Sequence, residues 1–287
     1  MTSMEIWKLF EPDNYYKSFL EQNKRPDGRG LKEVRPITIN VGTVNTADGS
    51  ATVRIGHTSV LCVAIKAELA TPMLRKPNEG YIIPNVELYP CCSPKFKAGP
   101  PGEKAIEASQ FLKNVIKSAN LVDLEAFCIK PNKMAWCLYC DVVCVNYDGN
   151  LLDAALISFI AALQNVKLPE IRYDDETERV EVGLERNVPV ALLRKPVSST
   201  FTYNNENIPC NLLFFQLMDP TSEDEDQGRG EITIVLLEDG TMCTINKSGG
   251  QLLTQETLDN FVTLGKAQIK IVNDCIAKAL IERMDES

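Results

Sequence analysis

The chain has 287 residues, 44% of them hydrophobic and 24% charged, the balance of a globular protein long enough to bury a full core without disulfide or metal staples. Thirty Lys and Arg against 39 Asp and Glu give a formal charge of −9. That argues against autonomous nucleic-acid binding, which normally needs a positive excess to displace phosphate counterions. The single histidine, His57, excludes three-His zinc sites, HExxH motifs and paired-His acid–base schemes.

Met1–Phe10 carries Glu5 and Lys8 and has no apolar run of the kind an export signal needs. The longest apolar stretch, Leu151–Val166, is interrupted by Asp153, Ser158, Gln164 and Asn165, so no membrane span is expected. Ten cysteines without an export signal read as reduced thiols of a cytosolic or nuclear protein.

In chain order, Glu11–Asn23 spaces Tyr15, Tyr16, Phe19 and Leu20 as a helix does, and the basic turn segment Lys24–Gly30 follows. Ile37–Val44, Ala51–Ile55 and Val60–Ala67 predict an antiparallel meander, turning at Asp48-Gly49 and at Gly56-His57-Thr58. His57 reads as a polar loop residue. Thr71–Gly102 holds seven prolines and predicts a long ordered connection of the functional kind. A helix through Ile106, Phe111, Leu112, Val115, Ile116 and Ala119 comes next, then strands near Leu124–Ile129 and Met134–Val145. Cys137 and Cys140 are spaced as CxxC, but three residues apart on a strand they point to opposite faces, and no second CxxC completes a site. No metal is therefore expected, and Trp136 on that strand reads as core or interface. The turn Tyr147–Asn150 leads into a helix over Leu151–Val166, apolar on nearly all sides and ended by Pro169.

The second half repeats the plan in shorter form. Strands are predicted near Arg179–Leu184, Val188–Leu193, Leu212–Leu217, Glu231–Leu237 and Met242–Asn246, then an amphipathic helix over Gln255–Arg283. The expected fold is α+β (mixed α/β), two βαβα-type halves packed into one unit. Its divisions are an N-terminal helix and arm over 1–30, a first half over 31–167 and a second over 168–287.

Several motifs resemble those of one family. Arg25-Pro-Asp-Gly-Arg29, Arg35-Pro36, Gly49-Ser-Ala51, Gly99-Pro-Pro-Gly-Glu103, Tyr147-Asp-Gly-Asn150 with Asp153, Asp219-Pro-Thr221 and Gly249-Gly250 follow one another as in RNase PH-like proteins. That family contains phosphorolytic exoribonucleases and the six ring subunits of the RNA exosome. The resemblance covers Arg25 to Arg283 and implies the ribosomal protein S5 domain 2-like fold. It also implies a place in a hetero-hexamer of three heterodimers of RNase PH-like subunits, RNA-binding cap subunits and an associated nuclease as partners, and RNA passing through the assembled channel. No cofactor and no membrane partner is implied, and the location would be nucleus, nucleolus and cytoplasm.

Active members of the family keep paired arginines at the start of the first long helix, a Gly-Gly-Ser/Thr-Arg phosphate loop and a pair of carboxylates. Here the helix start reads Gly99-Pro-Pro-Gly-Glu-Lys-Ala105 with no arginine, and Lys104 lacks a bidentate fork. The loop position reads Gly149-Asn150-Leu-Leu-Asp153, with a carboxylate and apolar bulk where phosphate donors belong. Asp219 persists at the carboxylate position. The expectation is thus a non-catalytic ring subunit supporting 3′-to-5′ RNA processing. A second reading is a phosphorolytic 3′-to-5′ exoribonuclease whose site is shared with a partner subunit. Apart from catalysis, Asp219 reads as a turn or cap residue, and Glu223–Asp226 as a solvated acidic loop. Arg25, Arg29, Lys32 and Arg35 form a basic cluster that reads equally as a salt-bridged surface or, as the resemblance implies, as RNA or subunit contacts; Lys95 and Lys97 on the Pro-rich connection are candidate RNA contacts if it lines a channel.

Overall fold

The computed structural model of the protein describes residues 7–8, 10–56, 59–173, 180–208, 211–250 and 252–286; the turn carrying His57 lies outside them. After helix α1 (Pro12–Leu20), strands β1 (Ile37–Val41), β2 (Gly49–Ile55) and β3 (Ser59–Ala70) form the expected antiparallel meander. β6 (Met134–Asn146) pairs with β3, and β4 (Tyr81–Leu88) runs parallel to β6, giving the order β1-β2-β3-β6-β4 with short β5 (Cys128–Lys130) beside β6. A second, antiparallel sheet has the order β10-β9-β11-β12, built from β9 (Val197–Ile208), β10 (Asn211–Met218), β11 (Gly230–Leu236) and β12 (Met242–Asn246).

Helices fill the space between the sheets. Helix α3 (Leu151–Gln164) lies against β2 and β3 on one side and β9 on the other. Its residues Ala154–Leu163 are all buried, Phe159 completely, as an all-round apolar helix must be. Each large apolar side chain so buried contributes roughly 1.5–3 kcal/mol. Helix α5 (Gln255–Glu286) also touches both sheets, and α2 (Glu103–Ala119) bridges edge strands β4 and β12. One continuous core therefore joins the two halves. Among the described residues, no helix is long and apolar enough to cross a membrane, and no cluster of His, Cys, Asp or Glu could hold a metal ion.

Five points of the sequence reading need correction. The Pro-rich connection 71–102 is broken by β4, whose Pro84 is accommodated because β4 is an edge strand, where a missing ladder donor is tolerated. Pro169 does not end α3; it lies inside β7 (Lys167–Tyr173), which pairs with β8 (Val180–Pro189) in a separate two-stranded sheet. The two strands expected over 179–193 are mostly this single β8. β9 went unpredicted because its buried side chains include Ser198, Ser199, Thr200 and Thr202, which do not read as core. Finally, the acidic run is no loop: Ser222–Gln227 forms a short helix, α4, capped reciprocally by Thr221 and Asp224.

Candidate functional site

The Arg-Pro-Asp-Gly-Arg arm folds back onto the end of β10. Apolar contacts among Leu20, Leu31, Phe215 and Leu217 seat it there, and three arginines converge on Asp219. Arg35 donates to Asp219 through its backbone N–H at 2.8 Å, Nε at 2.9 Å and Nη2 at 2.8 Å. Arg29 Nη1 adds a contact at 3.2 Å, and Asn150 Nδ2 one at 2.6 Å. Arg25 donates to the Asp219 carbonyl at 3.0 Å, to the Met218 carbonyl and to Asp224 at 3.4 Å. Asp219 is 1% exposed and holds a left-handed φ of +54°. Burial alone would raise its carboxyl, but the hydrogen bonds and charge of Arg35 outweigh that and hold it below the usual carboxylate range. Arg25 is pushed down to about 10, first by burial and then by the neighbouring charge of Arg29.

This placement extends one sequence expectation and corrects another. Asp219 is the expected turn residue, left-handed directly after β10, and it also anchors the N-terminal arm. Arg25 and Arg35, 1% and 7% exposed, are interior ion-pair partners, so neither presents its guanidinium to RNA or to a neighbouring subunit. Arg29 is occupied by Asp27 at 2.6 Å as well as by Asp219. The five-donor fork that suits arginine to phosphate here serves the protein's own carboxylates.

Helix α4 distributes four consecutive carboxylates over different segments. Glu223 takes Lys8 and the Tyr16 hydroxyl from the N-terminal arm, and Asp224 takes Arg25. Asp226 takes Lys95, whose ammonium also donates to Ser222 Oγ at 2.7 Å. Glu225 points toward the start of α3. It accepts from the Asn150 backbone N–H at 2.8 Å, the Tyr147 hydroxyl at 2.5 Å and Lys104 Nζ at 3.1 Å. Lys95 is thus partly neutralised, while Lys97, farther along the same connection, is exposed.

The start of α2 and the turn into α3 meet at one cavity, while Asp219 lies behind that turn against the Asn150 side chain. Lys104, Glu107, Tyr147, Leu152, Glu225 and Glu231 line a small cavity of about 50 Å³ between α2, the start of α3 and the second sheet. Gly149 lets α4 close over this turn. Its φ is +78°, and a Cβ there would come within 2.5 Å of the Ser222 nitrogen. Asp153 does not face the cavity. It is 2% exposed, and its carboxylate receives the backbone N–H and hydroxyl of Thr200, each at 2.9 Å. Glu231 is pushed up to about 7, first by burial and then by the charge of Glu225. Burial and Glu225 likewise raise the Tyr147 hydroxyl. The cavity therefore holds more carboxylates than cations. Sequence reasoning missed Glu231 and gave Tyr147 and Glu225 no individual role within their turn motif and acidic run, although Thr221-x-x-Asp224 was a legible helix-start signal.

Residues 33–169 match the 3′ exoribonuclease family, domain 1, and residues 216–268 match its domain 2. The chain belongs to the RNase PH family. The exosome complex component rrp43 of Schizosaccharomyces pombe is 40% identical over 245 residues, covering 85% of this chain and 87% of the relative. The exosome complex component Rrp42 of Pyrococcus furiosus is 38% identical over 246 residues, covering 85% of each. Among solved structures, a chain of the Archaeoglobus fulgidus exosome with RNA bound to the active site superposes with a TM-score of 0.79 at 30% identity, covering 94% of this chain and 98% of that one. The similarity to rrp43 agrees with the likeness that Tyr15–Arg29 and Gly99–Glu103 bear to the ribosomal RNA-processing protein 43 type of RNase PH-like chain.

Proposed function

We propose that this chain is a non-catalytic structural subunit of an RNA exosome ring, supporting 3′-to-5′ RNA processing and degradation, including rRNA maturation and mRNA turnover. Relatives named as exosome components, across most of both chains, support ring membership. The chain joins other RNase PH-like subunits in a hetero-hexamer of three heterodimers. There it completes the RNA channel and supports RNA-binding cap subunits and an associated nuclease, in nucleus, nucleolus and cytoplasm. Its proposed units are the arm 1–30, the half 31–167 and the half 168–287.

One observation carries the non-catalytic reading. Asp219, the carboxylate at the position the family uses for catalysis, is 1% exposed, with both oxygens bonded to Arg29, Arg35 and Asn150. A group so enclosed reaches no phosphodiester and accepts no further proton donor. The test is 3′-end degradation of a single-stranded RNA by the purified chain, with and without inorganic phosphate. No phosphate-dependent shortening is expected; nucleoside diphosphate release by the chain would overturn the proposal. Affinity purification from cells should in addition recover several different chains of related fold.

A further inference from the structure

Two thiols meet where the connection leaving β4 crosses the end of β6. After β4 the chain turns over Tyr89–Cys92, the Cys92 N–H donating to the Tyr89 carbonyl at 3.0 Å, and the Cys92 carbonyl accepts from the Tyr147 N–H at 3.0 Å. Parallel pairing sets Leu88 beside Cys144. Cys92 and Cys144, 4% and 2% exposed, belong to the same core cluster and share a thiol–thiol hydrogen bond. Both are free thiols, and the adjoining Cys91 is exposed, so Cys92 lies one residue from solvent. The CxxC pair differs: Cys137 and Cys140, three residues apart on β6, point to opposite faces.

Their surroundings give the two sulfurs different roles. The Cys144 thiol and the backbone N–H groups of Cys92 and Ser93 point at Cys92 Sγ. Burial raises the Cys92 thiol, and these donors oppose the rise. Burial and then the charge of Cys92 raise the Cys144 thiol, which therefore keeps its proton when Cys92 has lost its own. We propose that Cys92 and Cys144 form a reversible disulfide switch, closed by hydrogen peroxide, that fastens the Pro-rich connection to β6. The Cys92 thiolate attacks the peroxide O–O bond and becomes a sulfenic acid, while the departing hydroxide takes up a proton and leaves as water. The Cys144 sulfur then attacks the Cys92 sulfur, and the S–S bond forms as the sulfenic hydroxyl leaves with the Cys144 proton as a second water. Two thiols are oxidised, one peroxide is reduced, and a dithiol reverses the step. The link closes a loop containing α2 and β5 and constrains the segment that carries Lys95, Phe96 and Lys97. Phe96 already packs edge-on against the Tyr147 ring at 5.1 Å, so the reduced chain holds this segment close to its linked position.

The test uses the full chain, reduced and freed of reductant, then treated with hydrogen peroxide, blocked with N-ethylmaleimide and digested without reduction for mass spectrometry. A peptide pair joined through Cys92 and Cys144, located by fragmentation, is expected, and dithiothreitol should release it. Tryptic cleavage of the native chain after Lys95 and Lys97 should slow several-fold on oxidation and recover on reduction. Cys91→Ser should form the same link, whereas Cys144→Ser should leave a Cys92 sulfenic acid that a dimedone probe labels. Peroxide-treated wild type with no Cys92–Cys144 link, or with Cys91 joined in place of either sulfur, would overturn the proposal. Unchanged tryptic cleavage of the linked chain would overturn the fastening of the connection. The wild-type digest decides the matter even where Cys144→Ser does not fold, and neither outcome touches the non-catalytic reading, which is tested with RNA.

Discussion

Replacing Asp219 with alanine separates a structural carboxylate from a catalytic one. In the folded chain its oxygens accept from Arg29 Nη1, from Arg35 N, Nε and Nη2, and from Asn150 Nδ2. Removing them leaves Arg35, 7% exposed, without its main counter-charge and Arg29 with Asp27 alone. Breaking one side of a buried ion pair costs roughly 3–5 kcal/mol. At roughly 2–4 °C per kcal/mol for chains of a few hundred residues, the melting midpoint should fall by about 6–20 °C. Calorimetry of the purified chain at pH 7 measures this, with Asp226→Ala as a surface control expected to stay within about 0.5 kcal/mol. The pH dependence has a definite sign. Arg35 holds the Asp219 carboxyl below its unfolded value, so its stabilisation is present above about pH 4 and is lost as pH falls through the folded value. The gap between wild type and variant is therefore widest at neutral pH and narrows on acidification. A variant within about 1 kcal/mol of wild type at pH 7 would refute the reasoning. Loss of RNA degradation by Asp219→Asn at unchanged stability would favour the shared-site exoribonuclease instead.

Three further outcomes follow from the same geometry. Glu231 keeps its proton up to about pH 7 while the unfolded chain releases it near 4.5. Stability should thus fall as pH rises between those values, and Glu231→Gln should flatten the slope and gain roughly 1–3 kcal/mol at pH 8; identical unfolding curves at pH 5 and 8 for both proteins would contradict this. Gly149→Ala places a Cβ within 2.5 Å of the Ser222 nitrogen at a φ of +78°, and should destabilise by roughly 2–4 kcal/mol in chemical denaturation, a loss under about 1 kcal/mol speaking against the close approach. If the connection carrying Lys97 lines the RNA path, Lys97→Glu should weaken RNA binding by the assembled complex and reduce its salt slope by about 1, whereas the internally paired Lys95→Ala should change it less; unchanged affinity for Lys97→Glu would place RNA elsewhere.

Features that depend on residues close in sequence were legible before any coordinates. The strand alternation at Ile37–Val41, the apolar α3 and the stripe of α5 all lie where local periodicity put them. Misreadings arose where a local rule met a tertiary exception. Pro84 sits in an edge strand and Pro169 at a register shift, where a missing N–H is tolerated, and β9 can bury the Thr200 hydroxyl because Asp153 and Thr233 bond to it. The site was less legible for a different reason. Arg35 and Asp219 are 184 positions apart, and Arg25 and Asp224 are 199 apart. A sequence counts such charges but does not pair them.

That distinction changes the meaning of the −9 charge. Read as an average, the excess describes a surface that repels phosphate. In the fold, Asp219, Asp153 and Asp224 are each at most 3% exposed and add little to that surface. They act at short range, where a low local dielectric makes pairing strong and leaves arginines unavailable to outside anions. Glu225 extends the same arrangement to the cavity by meeting the donors there. Arg25, Arg29, Arg35 and Lys104 are thus all bound from within, and the cationic groups that the chain does carry near these sites are engaged by its own carboxylates.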